Sequence, residues 1–454
     1  MVQNMNYNDK IKQLLDDVIH QIANNKNNYV LNPDVDFTRN RKLPFEMVVK
    51  IILSMKGGSL NKELYEFFGR DPETIATSSA FIQQRDKLST QLFVDLFNMF
   101  NASMTNIDTF EGYRLLAVDG SCINIATDKN ADTHVQHNIK KTNGELFKGY
   151  NQYHLNAIYD ILNKVYVDVL LQPQPVNDER NAFITMLKNM QIDEPTLFIA
   201  DRGYPSWNMY AHFKYKQNAD YLIRVRNGEN SLVRDLPLEE FDIDRSVIIT
   251  TNQYYYKRPG YIVVQKLKGT QKNRIYKSKR VNKPTHWDFA DEELLNFRIV
   301  RFKITDDTYE TIFTSLPRDK FSVADIKKLY GMRWGIETSF RELKYVIGLT
   351  AMHSKKDSFI KQEIYAKLIM YNFCERIIAQ AVIEQDDNNK LQYQVNYTMA
   401  IKICLDFYRM LVESDHVYKL IAKYVEALRP GRTDKRKRKP AAKMFVWFLY
   451  RVPA

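Results

Sequence analysis

The sequence predicts an α/β fold flanked by helical segments at both ends. Three observations carry that expectation: apolar residues recur at helical spacing up to about residue 110, short β-rich runs begin at Arg114, and strand-like and helix-like stretches then alternate to about residue 227. With 44% hydrophobic and 13% aromatic residues in 454, the chain can bury a sizeable core and fill two or three domains. A formal charge of +12 favours a polyanionic partner such as nucleic acid over an acidic metabolite.

The N-terminal unit reads as helical in "DKIKQLLDDVIHQIA", in "PFEMVVKIILSMK", which Pro44 can open and Gly57-Gly58 breaks, and in "STQLFVDLFNMFNASM". Strand-like runs follow in "RLLAVD", "HLNAIYD" and "KVYVDVLLQ", with Asn163-Lys164 as the turn between the last two. Next come a helix around "ERNAFITMLKNM", a strand "TLFIAD", a helix in "RGYPSWNMYAHF" and a strand "DYLIRVR". From about 228 to 318 the β-rich runs "SVIITTNQYYY", "YIVVQKLKG", "FRIVRFKI" and "ETIFTSL" interrupt that rhythm like an inserted domain. Ser322 and Asp325 form a capping box that starts a helix, and helical patterns continue to about Leu428 before the polar run "RPGRTDKRKRKP".

The helix "YGMRWGIETSFRELKY" carries the most informative pattern. At about 100° per residue, Tyr330, Arg333, Glu337 and Lys344 share an arc of about 60° beside the apolar seam of Leu329, Ile336, Phe340, Leu343 and Ile347. A purely solvated face would lie opposite that seam. Gly331 inside the helix costs about 1 kcal/mol relative to Ala, which close approach of another backbone or of a DNA strand would explain.

Two acids occupy matching places: Asp119 follows "LLAV", Asp201 follows "LFIA", and glycines come soon after each. An acid at the end of a buried strand is held on a rigid element where a ligand can approach. Together with Glu337, these acids supply three carboxylates from separate elements. Such a set can hold hard divalent cations for phosphoryl transfer, while Arg333, Lys344 and Tyr330 could clamp phosphates beside them.

The motifs "AVDGS" and "ADRGY", with Tyr-x2-Arg-x3-Glu-x6-Lys at Tyr330, Arg333, Glu337 and Lys344, resemble the DDE transposases of insertion sequence family four. The resemblance extends over most of the chain, including "FIQQRDKL". It implies a ribonuclease H-like catalytic core with a β-rich insertion, flanked by helical segments. The boundaries expected are a helical DNA-binding domain over 1–110, the first part of the core over 111–227, the insertion over 228–318, the core helix carrying the third acid over 319–360, and a helical C-terminal segment with a basic tail over 361–454.

Function follows from the same resemblance: cleavage at transposon ends and joining of 3′ ends to target DNA. Asp119, Asp201 and Glu337 would be catalytic metal ligands for Mg2+, with Mn2+ as a substitute, and Tyr330, Arg333 and Lys344 would be DNA-binding residues. Expected partners are transposon-end and target DNA, with a homodimer in the synaptic complex. A bacterial cytoplasmic location, nucleoid-associated on DNA, is expected too. A metal-dependent nuclease that does not join, and a transposase-derived DNA-binding regulator, are the rival readings. Trp287 and Tyr309 stay unassigned as base-holding aromatics.

Other features narrow the classes. Cys122, Cys374 and Cys404 are far apart without Cys-x-x-Cys, so core thiols are expected, and His134 and His137 lack further close zinc ligands. No phosphate-cradling Gly-x4-Gly-Lys-Ser/Thr loop is present, so no nucleotide cofactor is expected, and no apolar run suits a membrane. Residues 251 to 287 contain no acid and interleave Lys and Arg with Tyr256, Tyr261 and Tyr276, which suits DNA contact. The run from Lys435 to Lys439 reads equally as a solvated tail.

Overall fold

A computed structural model describes residues 6–39, 41–105, 107–136, 149–226, 232–264, 287–289, 292–305, 308–385 and 391–428. The helical start comprises α1 (Tyr7–Asn24), α2 (Phe45–Ser54), α3 (Leu60–Phe67), α4 (Ser78–Arg85) and α5 (Gln91–Ala102). Pro44 stands at the N-cap of α2, where a missing N–H costs nothing. Then follow β1 (Arg114–Ile125), β2 (His134–Val135), β3 (Tyr150–Asp160), β4 (Val165–Pro173), α6 (Glu179–Asn189), β5 (Thr196–Ala200), α7 (Trp207–Tyr215) and β6 (Ala219–Val225). Lys164, with φ 55°, closes the β3–β4 turn in the left-handed region. The side chains of Asp178 and Ser206 cap α6 and α7 by accepting backbone N–H bonds.

The chain continues through β7 (Phe241–Thr250), β8 (Tyr261–Val263), β9 (Glu292–Thr305) and β10 (Thr308–Thr314). Among the described residues ten strands form one mixed sheet, in which β1, β5 and β6 are parallel neighbours and β3 lies antiparallel to β1. β10 pairs with β6 on one side and β9 on the other, and β9 pairs with β7. The strands after residue 240 therefore extend the central sheet, a pairing that local sequence cannot reveal because its partners are distant in the chain.

The last elements are α8 (Val323–Met332), α9 (Trp334–Tyr345), α10 (Asp357–Ile378), β11 (Tyr393–Val395), α11 (Tyr397–Tyr408), α12 (Ser414–Lys423) and β12 (Val425–Ala427). The C-terminal stretch is thus not purely helical, since β11 and β12 pair antiparallel. The basic tail lies outside the described residues. None of the described helices is long and apolar enough to cross a membrane.

Strand alternation divides the core. Leu115 and Ala117 of β1, with Leu197 and Ile199 of β5, join the cluster containing α1, α2, α5, α9 and α10, whereas Leu116, Val118, Phe198 and Ala200 face α6 and α7. Cys374 and Cys404 are buried in the first cluster, and Cys122 is intermediate.

A buried ionic joint ties the first helices to the end of the chain. Arg85, from "FIQQRDKL", bonds Glu363 of α10 at 2.9 Å, Gln362 at 2.9 Å and the carbonyl of Phe359 at 2.8 Å. His353 lies 3.2 Å from Glu363, while Arg409 pairs with both Glu63 and Glu66.

Candidate active site

The register of β1 and β5 brings the two strand acids together. Val118 and Ala200 are the last paired residues of these parallel strands, so Asp119 and Asp201 each stand one residue further on. By alternation Asp119 continues the row of Leu115 and Ala117, on the face that α9 covers. Asp201 follows the end of β5 as expected, but Asp119 lies inside β1, because β3 continues to pair with β1 as far as Ile125 after β5 has stopped.

The expected single helix is two. α8 opens with the Ser322–Asp325 capping box, and Arg333, at φ −50° and ψ −30°, is both its C-cap and the residue before α9. The Arg333 N–H bonds the Tyr330 carbonyl and its own carbonyl accepts from Ile336, so the turn tightens locally to three-residue bonds. Leu329, Ile336, Phe340, Leu343 and Ile347 are all buried in the core seam. Gly331 is approached by no neighbour: a Cβ there would meet nothing within 4 Å, so close approach of protein backbone does not explain it.

Beside the seam, the charged stripe meets the strand ends. The Tyr330 hydroxyl donates to Asp201 Oδ1 at 3.1 Å, Arg333 Nη2 bonds Glu337 Oε1 at 2.8 Å and Nη1 lies 3.8 Å from Asp119, while Lys344 Nζ donates to Ser121 Oγ at 2.7 Å. The guanidinium thus stands between two of the acids. Its Nε is buried with no hydrogen-bond partner, which leaves one donor unused.

Electrostatics follow from burial and crowding. Burial pushes Asp119 up to about 6; the Gly120 N–H and Arg333 oppose the shift, and the carboxylates of Glu337 and Glu179 add to it. Burial, then the charge of Asp201, raises Tyr330 to about 12, and burial lowers Lys344. As the side chains stand, no three described His, Cys, Asp or Glu residues close around one point. The donor set nonetheless suits a hard cation: it consists of carboxylate oxygens, and Asp119 is held up chiefly by burial, with its carboxylate neighbours adding to the shift.

Several neighbours escaped sequence reading. Arg224 of β6 lies 3.9 Å from Asp201 and 3.0 Å from Glu310. Glu179, the first residue of α6, lies 2.9 Å from His154 Nε2, and His154 Nδ1 faces Cys122 Sγ at 3.6 Å. Burial alone would lower His154, but Cys122 and Glu179 bring it up to about 9. Tyr204 of "DRGY" is buried, and its hydroxyl lacks a partner. None of these has a local spacing signal; only strand pairing and loop path bring them in.

Outside the acids, His134 bonds Asn151 at 3.0 Å, and His137 lies outside the described residues. Trp287 is 3% exposed in the core against Phe289. Near the start of the acid-free basic stretch, Tyr255 and Tyr261 stack at 4.4 Å under Arg258, with Tyr254 and Tyr256 exposed beside Lys257. Tyr276 and most of that stretch's lysines lie outside the described residues.

The family pattern of the transposase DDE domain matches residues 110–373. Over 67 residues, 15% of this chain and 18% of each relative, the sequence is 34% identical to the InsL protein of insertion sequence element IS186A of Escherichia coli (strain K12) and to the transposase for insertion sequence element IS421 of Escherichia coli. The chain thus spans less than a fifth of the curated relatives it matches. A cryo-EM structure of piggyBac transposase in a synaptic complex with hairpin DNA is similar with a TM-score of 0.45 and 8% identity, across 96% of this chain and 89% of that one. The matched pattern spans more than half of the sequence and includes Asp119, Asp201 and the whole of α8 and α9: the chain belongs to the transposase DDE domain family.

Proposed function

We propose that the protein is a DNA transposase that binds insertion-sequence ends, cleaves them by metal-dependent phosphoryl transfer and joins the 3′ ends to target DNA. The observation that carries this reading is the single stripe of α8 and α9, whose Tyr330, Arg333, Glu337 and Lys344 meet Asp201, Asp119 and Ser121 across the end of the sheet. Asp119, Asp201 and Glu337 would hold magnesium, with manganese as a substitute. Bound there, the cation supplies Lewis-acid stabilisation of charge on phosphate oxygens and of the attacking water or hydroxyl.

The chain's own residues do the rest. Arg333 and Lys344 supply positive charge beside the acids for a DNA phosphate. Tyr330 holds Asp201 in place through its hydroxyl. The exposed tyrosines and basic residues around Tyr254 to Arg258 suit packing on DNA bases and sugar-phosphate. Two ends have to be brought together, which is why a dimer on DNA belongs to the proposal, as do the helical DNA-binding role of 1–110 and the ribonuclease H-like nature of the core.

Glu337→Gln keeps size and helix propensity and removes the charge a hard cation needs. On a supercoiled plasmid carrying candidate ends, magnesium-dependent cleavage should fall by about two orders of magnitude or more, while circular dichroism and end binding stay near wild type. Normal cutting by the folded variant overturns the metal role. Wild-type protein that cuts but never joins would favour a nuclease.

A further inference from the structure

We propose that Glu179 is a fourth acid of the site, set in place by His154, and that its carboxylate helps hold the divalent cation. The inference rests on the metal-dependent reading above and extends it to residues on the opposite face of the sheet. Glu337 reaches the strand ends from α9, on one face, and Glu179 reaches them from the start of α6, on the other.

Glycine makes that approach possible. A Cβ on Gly120 would stand 2.2 Å from His154 Nε2 and 3.1 Å from Glu179 Oε1, so any side chain at 120 would displace the pair. At Gly203 a Cβ would be in ordinary contact with Glu179 Oε2, at 3.8 Å. One carboxylate therefore lies beside both Gly120, which follows Asp119 within β1, and Gly203 in the turn after Asp201. The next residue of the same helix, Arg180, donates from Nε to the Gly203 carbonyl at 2.8 Å and ties the Asp201 loop to this helix start.

The pair divides its work. The His154 side chain is 6% exposed and that of Glu179 is 38% exposed, so the imidazole is anchored while the carboxylate stays reachable. Cys122 Sγ sits at the far edge of the ring, and Oε1 lies 2.9 Å from Nε2 in an ion-pair contact without hydrogen-bond alignment, which leaves Oε2 for a ligand. The buried hydroxyl of Tyr204, without a hydrogen-bond partner, lies among the charges of Asp119, Glu179, Arg333 and Asp201. One oxygen of Glu179 serves the ion pair with His154, and the exposed remainder of the carboxylate is open to a cation.

Titration of the full chain with Mn2+, following free ion by electron paramagnetic resonance, separates these roles. Glu179→Gln keeps the size of the side chain beside His154 while removing its charge, and should weaken Mn2+ binding about tenfold, the scale expected for a group that supports a metal site. His154→Asn leaves all four acids and should give a smaller loss; unchanged affinity there overturns His154 as the positioning residue. Asp119→Asn is the control. If Asp119→Asn weakens binding and Glu179→Gln does not, the fourth acid is overturned and the metal-dependent reading stands. If neither variant changes binding, both fall together.

Discussion

The ionic joint around Glu363 and the acidic site around Asp119 are both buried charge clusters, yet their carboxyl groups are driven in opposite directions. In the joint, burial raises Glu363 and Glu63, but Arg85 and His353 bring the first down to about 2, while His353 and Arg409 do the same for the second. In the site, burial raises Asp119 to about 6, Arg333 reaches it only at 3.8 Å, and two more carboxylates add repulsion. The guanidinium's close bond goes to Glu337 instead. Matched charge locks the N-terminal helices to α10, whereas the unmatched charge at Asp119 is what the proposed cation would neutralise.

Removing one member of the joint should therefore have the largest effect on stability. Arg85→Ala takes the guanidinium from Glu363, in a pair whose side chains are both 2% exposed, and leaves His353 beside that charge, at a cost of about 3 kcal/mol. Urea denaturation followed by circular dichroism checks it. A loss below about 1 kcal/mol would mean that the joint is wet and that the contrast with the site is false.

The pH dependence sharpens the comparison because its signs differ. Asp119 has a folded value raised from 3.8 to about 6, so the unfolded chain gives up that proton first and stability falls as pH rises through this window. Asp119→Asn should then stabilise the protein at pH 7 by up to about 3 kcal/mol, with no gain below pH 4. Glu63 and Glu363 have lowered values, and their contribution is present above about 4.5 and lost as pH falls toward about 2. Melting curves of wild type and Asp119→Asn from pH 3 to 8 test both signs. A destabilised Asp119→Asn at pH 7 would mean that Arg333 satisfies this acid after all.

How much of this was legible depended on the range of each signal. The stripe of α8 and α9 needs only helix periodicity, so Tyr330, Arg333, Glu337 and Lys344 could be grouped from sequence, and the seam beside them is buried as the wheel requires. The strand acids were legible from the apolar runs before them. That Asp119 lies within β1 was not, because the continuation depends on β3, some thirty residues away. The tightened turn at Arg333 was equally hidden, since its dihedrals remain helical and the residue carries no breaker signal. Glu179, His154 and Arg224 come to the acids through pairing and loop path, as does the contact of Arg85 with Glu363.

The smallest effect concerns the helix face that neither cluster uses. Gly331 sits within α8, has ordinary helical φ and would meet nothing within 4 Å if it gained a Cβ. Nothing in the protein opposes alanine there, so Gly331→Ala should stabilise the chain by about 0.5–1 kcal/mol through propensity and lost backbone entropy in the unfolded state. On the helix the added methyl lies about 100° from Tyr330 and about 160° from Arg333, outside the stripe, so it would meet only a DNA strand that passes close to Gly331 itself. With a strand there, melting temperature and end-DNA affinity should move in opposite directions, with a modest gain in the first and a loss in the second. If both improve or stay level, the glycine is not kept for a close strand, and the DNA path has to run nearer Lys344. If affinity falls while Asp119→Asn binds normally, the cost belongs to steric fit at this helix face and not to the acids that α9 covers.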